Sequence, residues 1–166
     1  IGFGDADIGQ VSGVPWAAIR RGPVRAGIHP AYPLLGTCAR EVPAETPYFS
    51  SSYATPEVAP PANRQSVIVV GSGPIRIGQG IEFDYCSVRA AWAIRELGLD
   101  AVVINNNPET VSTDYNECDR LYFEEISHES VLEIYRRENP LGVMVSVGGQ
   151  VPNNPALQLA EAGVPI

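Results

Sequence analysis

Three stretches of this chain carry residues whose type and spacing could do chemistry. The first is Gly71-Ser72-Gly73-Pro74-Ile75-Arg76-Ile77-Gly78-Gln79-Gly80, followed at once by Glu82 and Asp84. The second is Asn105-Asn106-Asn107-Pro108-Glu109-Thr110-Val111-Ser112-Thr113-Asp114-Tyr115. The third is Gly148-Gly149-Gln150. Glycines let a backbone bend sharply and let a ligand or a neighbouring chain come close. Amides, hydroxyls and carboxylates supply hydrogen bonds and negative charge. Such loops suit an anion or ligand site, or part of one.

None of the three matches a nucleotide-binding fingerprint. A G-x-G-x-x-G loop would need glycine at position 76, which is Arg76, and no Lys-Ser/Thr pair follows as in a Walker A loop. The glycine loop alone leaves two readings open: a tight strand-to-helix turn, or an anion or ligand site at a helix N-terminus. Glu82 and Asp84 sit where carboxylates favour the helix dipole. Glu109 is harder to explain structurally, because no Lys or Arg lies near it in sequence. Thr110, Ser112, Thr113 and Asp114 could be turn formers only. His29 and His128 stand alone and read as surface residues, and Arg136-Arg137 as a solvated helix end.

The elements around these loops alternate between strand and helix. Val67–Val70 and Ala101–Ile104 are β-branched runs of the kind buried on both faces of a parallel sheet, and each leads into one of the loops. Phe83–Leu97 has apolar positions Val88, Ala91, Trp92 and Leu97 at helical spacing, with Gly98 to close it. Asp119–Phe123 reads as a short strand, and His128–Arg137 as a helix capped by Ser127. Leu141–Val147 is a further strand, Asn154–Ala162 a helix, and Val164 the start of a strand cut short. This order predicts an α/β fold, a parallel sheet with helices on both faces, whose ligand sites lie at the carboxyl ends of the strands. Residues before 64 are broken by prolines, with short helices expected over Asp5–Val11 and Pro15–Arg21 and an extended Pro-rich linker towards Arg64.

The bulk composition narrows the function. A chain of 166 residues, 45% hydrophobic and 18% charged, suits about one domain with a buried core. Its net charge is −8 and every basic residue is Arg, which argues against nucleic-acid or anionic-membrane binding and rules out a P-loop or Schiff-base lysine. No apolar run approaches the roughly 18 residues of a membrane helix. Cys38, Cys86 and Cys118 form neither a disulfide framework nor a zinc pattern, and fit a reducing, cytoplasmic setting. The chain begins at Ile1 without an initiator Met and reads as an excised segment.

Taken in order, Gly71–Cys86, Asn105–Tyr115, Asp119–Glu124 and Gly148–Gln150 closely resemble the large subunit of the carbamoyl phosphate synthetases. That family has two homologous halves, each opening with a Rossmann-like domain ahead of an ATP-grasp domain. The first half typically reads N-P-A-T where the second reads N-P-E-T. Asn107-Pro108-Glu109-Thr110 therefore resembles the second, carbamate-phosphorylating half. Gly2-Phe3, Asp5, Ile8, Gly13, Ile28–Tyr32, Thr37–Ala39, Glu41 and Ser50–Tyr53 are similar to the end of the helical oligomerisation domain between the halves, with departures at Gly9, Gly22-Pro23 and Pro33.

The resemblance implies residues 1–54 as the end of that helical domain, 55–65 as linker, and 66–166 as a truncated pre-ATP-grasp domain. It implies that Glu82 and Glu109 line the carbamate passage, and that Gly73, Arg76, Gly78, Asn107, Thr110, Gly148, Gly149 and Gln150 lie on loops bordering the active site. It implies an ATP-dependent ligase serving arginine or pyrimidine synthesis, with ATP and Mg2+ or Mn2+ bound mainly outside this segment, which alone would be inactive. The implied partners are the downstream ATP-grasp domain, the first synthetase half, a glutaminase small subunit and a possible homo-oligomer, with no nucleic acid and no membrane. Two alternatives remain at this point. One is the pre-ATP-grasp domain of another ATP-grasp ligase such as a biotin-dependent carboxylase; the other is a non-catalytic Rossmann-like binding module.

Overall fold

The computed structural model describes residues 3–25, 27–36, 46–53, 60–75 and 77–166. Arg76, Thr37–Ala39, Glu41 and residues 55–59 of the expected linker lie outside the described residues. Five parallel strands form one sheet: β1 (Tyr48–Phe49), β2 (Ser66–Val70), β3 (Asp100–Asn105), β4 (Arg120–Phe123) and β5 (Val143–Met144), in the order β1-β4-β3-β2-β5. The helices are α1 (Asp5–Ser12), α2 (Trp16–Arg25), α3 (Glu82–Glu96), α4 (His128–Glu138) and α5 (Ala156–Glu161), with a 3-10 turn at Val111–Thr113.

Strand alternation divides the core into two layers. Ile68, Val70, Val102, Ile104 and Tyr122 point to one face and pack with Val131 and Ile134 of α4 and Leu159 of α5. Val69, Ala101, Val103 and Leu121 point to the other and pack with Ala91 and Ile94 of α3. The α/β, Rossmann-like reading therefore holds: a parallel sheet with helices on both faces.

Several boundaries differ from the sequence expectation. The helix from Phe83 keeps Val88 and Ala91 inside, but Leu97 is exposed, and Trp92 lies at the surface with its indole N–H donating to Glu117 (2.6 Å). Ile94 takes the core position instead. The strand expected over Leu141–Val147 is paired only at Val143–Met144. Val164–Ile166 carry no assigned strand, although the Val143 N–H donates to the Pro165 carbonyl (2.9 Å) as in a parallel ladder. α2 runs to Arg25, past Gly22-Pro23, with Arg20 anchored by ion pairs.

The strand Tyr48–Phe49 had no sequence signal, yet it brings the segment before the linker into the sheet. Phe49 stacks on Tyr122 (5.1 Å between centroids), and Tyr32 meets Tyr122 edge-on (5.2 Å). Beside them the buried Glu138 accepts the Tyr122 hydroxyl and the Ala62 amide (2.9 Å) and pairs with Arg120 (3.3 Å) and Arg137 (3.4 Å). A second buried cluster docks the helical hairpin. Arg20 of α2 pairs with Asp5 of α1 (3.4 Å) and with Glu133 of α4, and the Asp5 amide donates to Glu129 (2.8 Å). Burial opposes the Arg20 charge, but Glu133 and Asp5 outweigh it and raise the guanidinium pKa.

Candidate functional site

The strand order fixes where a site can form. From β2 the chain winds outward through β3 to β4, then returns to place β5 on the other side of β2. The loops after β2 and β5 therefore diverge at the carboxyl edge and leave a crevice, the position at which parallel α/β sheets bind ligands. An open cleft of about 880 Å3 occupies that crevice.

The loop after β2 supplies Ser72, Pro74, Ile77, Gly78, Gln79 and Gly80 to the cleft, and α3 supplies Glu82 and Phe83. The region after β5 supplies Ser146, Gly148, Gly149, Gln150, Val151 and Asn153. Two glycines are needed for conformation. Gly148 has φ 103°, and a Cβ there would stand 3.2 Å from the Phe83 Cα and from the Cys86 Sγ. Gly73 has φ 73° and lies against Val151 and Asn106, between the loops after β3 and β5.

The sequence-derived site residues separate into two groups. Gly78, Glu82, Gly148, Gly149 and Gln150 line the cleft, and Gly73 lies beside it. Asn107, Glu109 and Thr110 are on the neighbouring loop after β3, outside the cleft lining, and Arg76 falls outside the described residues. Glu109 is exposed, and its amide donates to the Asn107 side chain (3.0 Å). Asn107 in turn donates its amide to Asn105 Oδ1 (3.3 Å).

Asp84 and Ser112 connect the two groups, and sequence reasoning had treated them only as a dipole carboxylate and a turn former. Asp84 is buried and accepts the backbone amide of Ser112 (2.8 Å) and the Ser112 hydroxyl. Asn105 Nδ2 donates to the Ser112 oxygen (3.2 Å). The partners lie 28 residues apart, so no local pattern could have revealed the pair.

Chemically, the described lining offers hydroxyls, amides and backbone groups, with Glu82 as its charged side chain. Among the described lining residues there is no Arg. Among the described residues no group of three or more His, Cys, Asp or Glu could hold a metal ion, and no helix is long and apolar enough to cross a membrane.

Residues 63–166 match the family described as the carbamoyl phosphate synthase preATP-grasp domain. The chain belongs to the carbamoyl phosphate synthase pre-ATP-grasp family. It is 50% identical to the carbamoyl phosphate synthase large chain of Myxococcus xanthus (strain DK1622), over 99% of this chain and 15% of that protein. It is 46% identical to the large chain of Deinococcus radiodurans, over 100% of this chain and 16% of that protein. A protein of Methanocaldococcus jannaschii named carbamoyl phosphate synthase large chain, C-terminal section, is 48% identical, over 100% of this chain and 28% of its own length. The chain thus spans about a sixth of the length of the large chains it matches, and as a carbamoyl phosphate synthase pre-ATP-grasp domain it places its cleft at the switch point of the sheet.

Proposed function

We propose that this segment belongs to the large chain of a carbamoyl phosphate synthase and scaffolds the half that phosphorylates carbamate. The observation that carries the placement is identity along the whole chain to a protein named as the C-terminal section of the large chain. Glu109, in the N-P-E-T string, supports the same half. The intact enzyme is a ligase that forms carbamoyl phosphate from bicarbonate, glutamine-derived ammonia and ATP. ATP and Mg2+ or Mn2+ bind mainly in the downstream ATP-grasp domain.

In this reading the cleft is part of the carbamate passage. Carbamate is a small labile anion, and a wall of amides, hydroxyls and glycine backbone can hydrogen-bond it and its water without trapping it. Glu82, and Glu109 on the adjoining loop, keep the wall negative, which disfavours tight anion binding. The first synthetase half and a glutaminase small subunit are the partners of the assembly, with homo-oligomerisation through the helical prefix. The setting is the cytoplasm, and the product feeds arginine or pyrimidine synthesis.

The test is the yield of carbamoyl phosphate per ATP consumed in the intact enzyme. Glu82→Ala and Glu109→Ala should each lower that yield as carbamate escapes and decomposes. An unchanged yield in both variants would remove the passage role.

A further inference from the structure

We infer that Asp84 is a positioning residue, which with Ser112 latches the Glu109 loop to the start of α3 and so sets Glu109 relative to the Glu82 wall. The inference rests on the passage reading of Glu82 and Glu109.

Asp84 lies two residues after Glu82 in the first turn of α3, but it turns inward and is 1% exposed. A carboxylate so buried requires hydrogen-bond partners. Ser112 supplies two, its amide (2.8 Å) and its hydroxyl, and is itself 1% exposed. From Ser112 the connection continues without a gap. Asn105 donates Nδ2 to the Ser112 oxygen and accepts the Asn107 amide through Oδ1, and Asn107 accepts the Glu109 amide. One end of this chain of bonds is fixed to the helix carrying Glu82; the other ends on the backbone of Glu109. Such a series couples position because Asp84, Ser112 and Asn105 are buried and each is hydrogen-bonded to the next. Capping or the helix dipole alone would not place Asp84 inside, since a solvent-facing carboxylate serves both.

The experiment uses the complete synthetase, with Asp84→Asn and Ser112→Ala made singly and together. Two activities are measured: carbamoyl phosphate formed per ATP consumed, and the reverse half-reaction, ATP formation from ADP and carbamoyl phosphate, which needs no carbamate delivery. Thermal unfolding is followed alongside. The latch predicts a severalfold lower yield for each single variant, a reverse rate within about twofold of the parent, and a double variant no worse than the poorer single. Loss of both activities together with a large fall in Tm, in both single variants, would overturn it in favour of simple fold support. An unchanged yield for Asp84→Asn and Ser112→Ala, while Glu82→Ala and Glu109→Ala lower the yield, would overturn the latch and keep the passage. An unchanged yield in all four variants would overturn both.

Discussion

The side chain of Asn105 fills the space in which Gly71 would carry a Cβ. An ideal Cβ on Gly71 would stand 2.7 Å from both Cγ and Nδ2 of Asn105. Asn105 is fully buried at the end of β3, and its amide is committed to Ser112 and Asn107, so it has nowhere to swing. Gly71 N–H meanwhile donates to the Ile104 carbonyl (2.7 Å), which holds the two strand ends together. The first glycine of the loop is therefore a packing glycine, fitted to the neighbouring strand end.

Gly71→Ala should destabilise the protein by about 1–3 kcal/mol, the usual cost of forcing a methyl group into a filled interior. Urea denaturation measures it. A variant as stable as the parent would show that Asn105 can move freely.

Glu138 should be among the most sensitive positions outside the cleft. It is buried between Arg120 and Arg137 while accepting Tyr122 and the Ala62 amide. Removing one member of a buried ionic group costs about 3–5 kcal/mol, because the partners remain desolvated. Glu138→Ala should lose on that order, and Glu138→Gln, which keeps an acceptor oxygen and the volume, clearly less. The measurement is again urea denaturation, and a loss below about 1 kcal/mol for Glu138→Ala would mean that water replaces the carboxylate.

How much of this could be read in the sequence depended on the range of the interaction. The β-branched runs at Val67–Val70 and Ala101–Ile104, and the Ser127 cap that accepts the Ser130 amide, are local signals, and each appears where expected. Tyr48–Phe49 is two residues long and becomes a strand only because β4 offers a free edge and Tyr122 a ring to stack on. Trp92 has helical spacing but finds Glu117 and the Arg89 guanidinium at the surface. At the cleft, the glycine loops were legible from their residues, whereas Glu82 was placed there only through the family resemblance. The Asp84–Ser112 pair was not legible, because a buried carboxylate and a dipole-facing one look alike until the fold brings the partner.

His128 should make stability fall on the acid side of neutrality. Burial first, and then the positive charge of Arg136, hold its pKa below the ordinary 6.5, and its ring meets Trp16 edge-on (5.3 Å). The folded state thus takes up its proton less readily than the unfolded chain. Stability is full above about 6.5 and declines as pH falls through that value towards the folded pKa. Unfolding measured at pH 8.0, 7.0, 6.0 and 5.5 should show a smaller decline for His128→Phe than for the parent, the difference between the two proteins cancelling other groups. Equal declines would place His128 at its ordinary value.

The two described cysteines should differ sharply in reactivity. Cys118 is buried between the sheet and α3, and burial, followed by the charge of Asp119, pushes its thiol from 9.0 to about 12. Below both values this lowers the thiolate population about a thousandfold, and the thiolate is the reactive species. Cys86 is exposed on α3, close under Gly148 at the edge of the cleft. Iodoacetamide at pH 8 should therefore modify Cys86 and spare Cys118 in the native protein, as peptide mass mapping would read, and modify both in urea. Labelling of Cys118 at a rate near that of Cys86 under native conditions would mean that the layer between α3 and the sheet opens far more often than its packing implies.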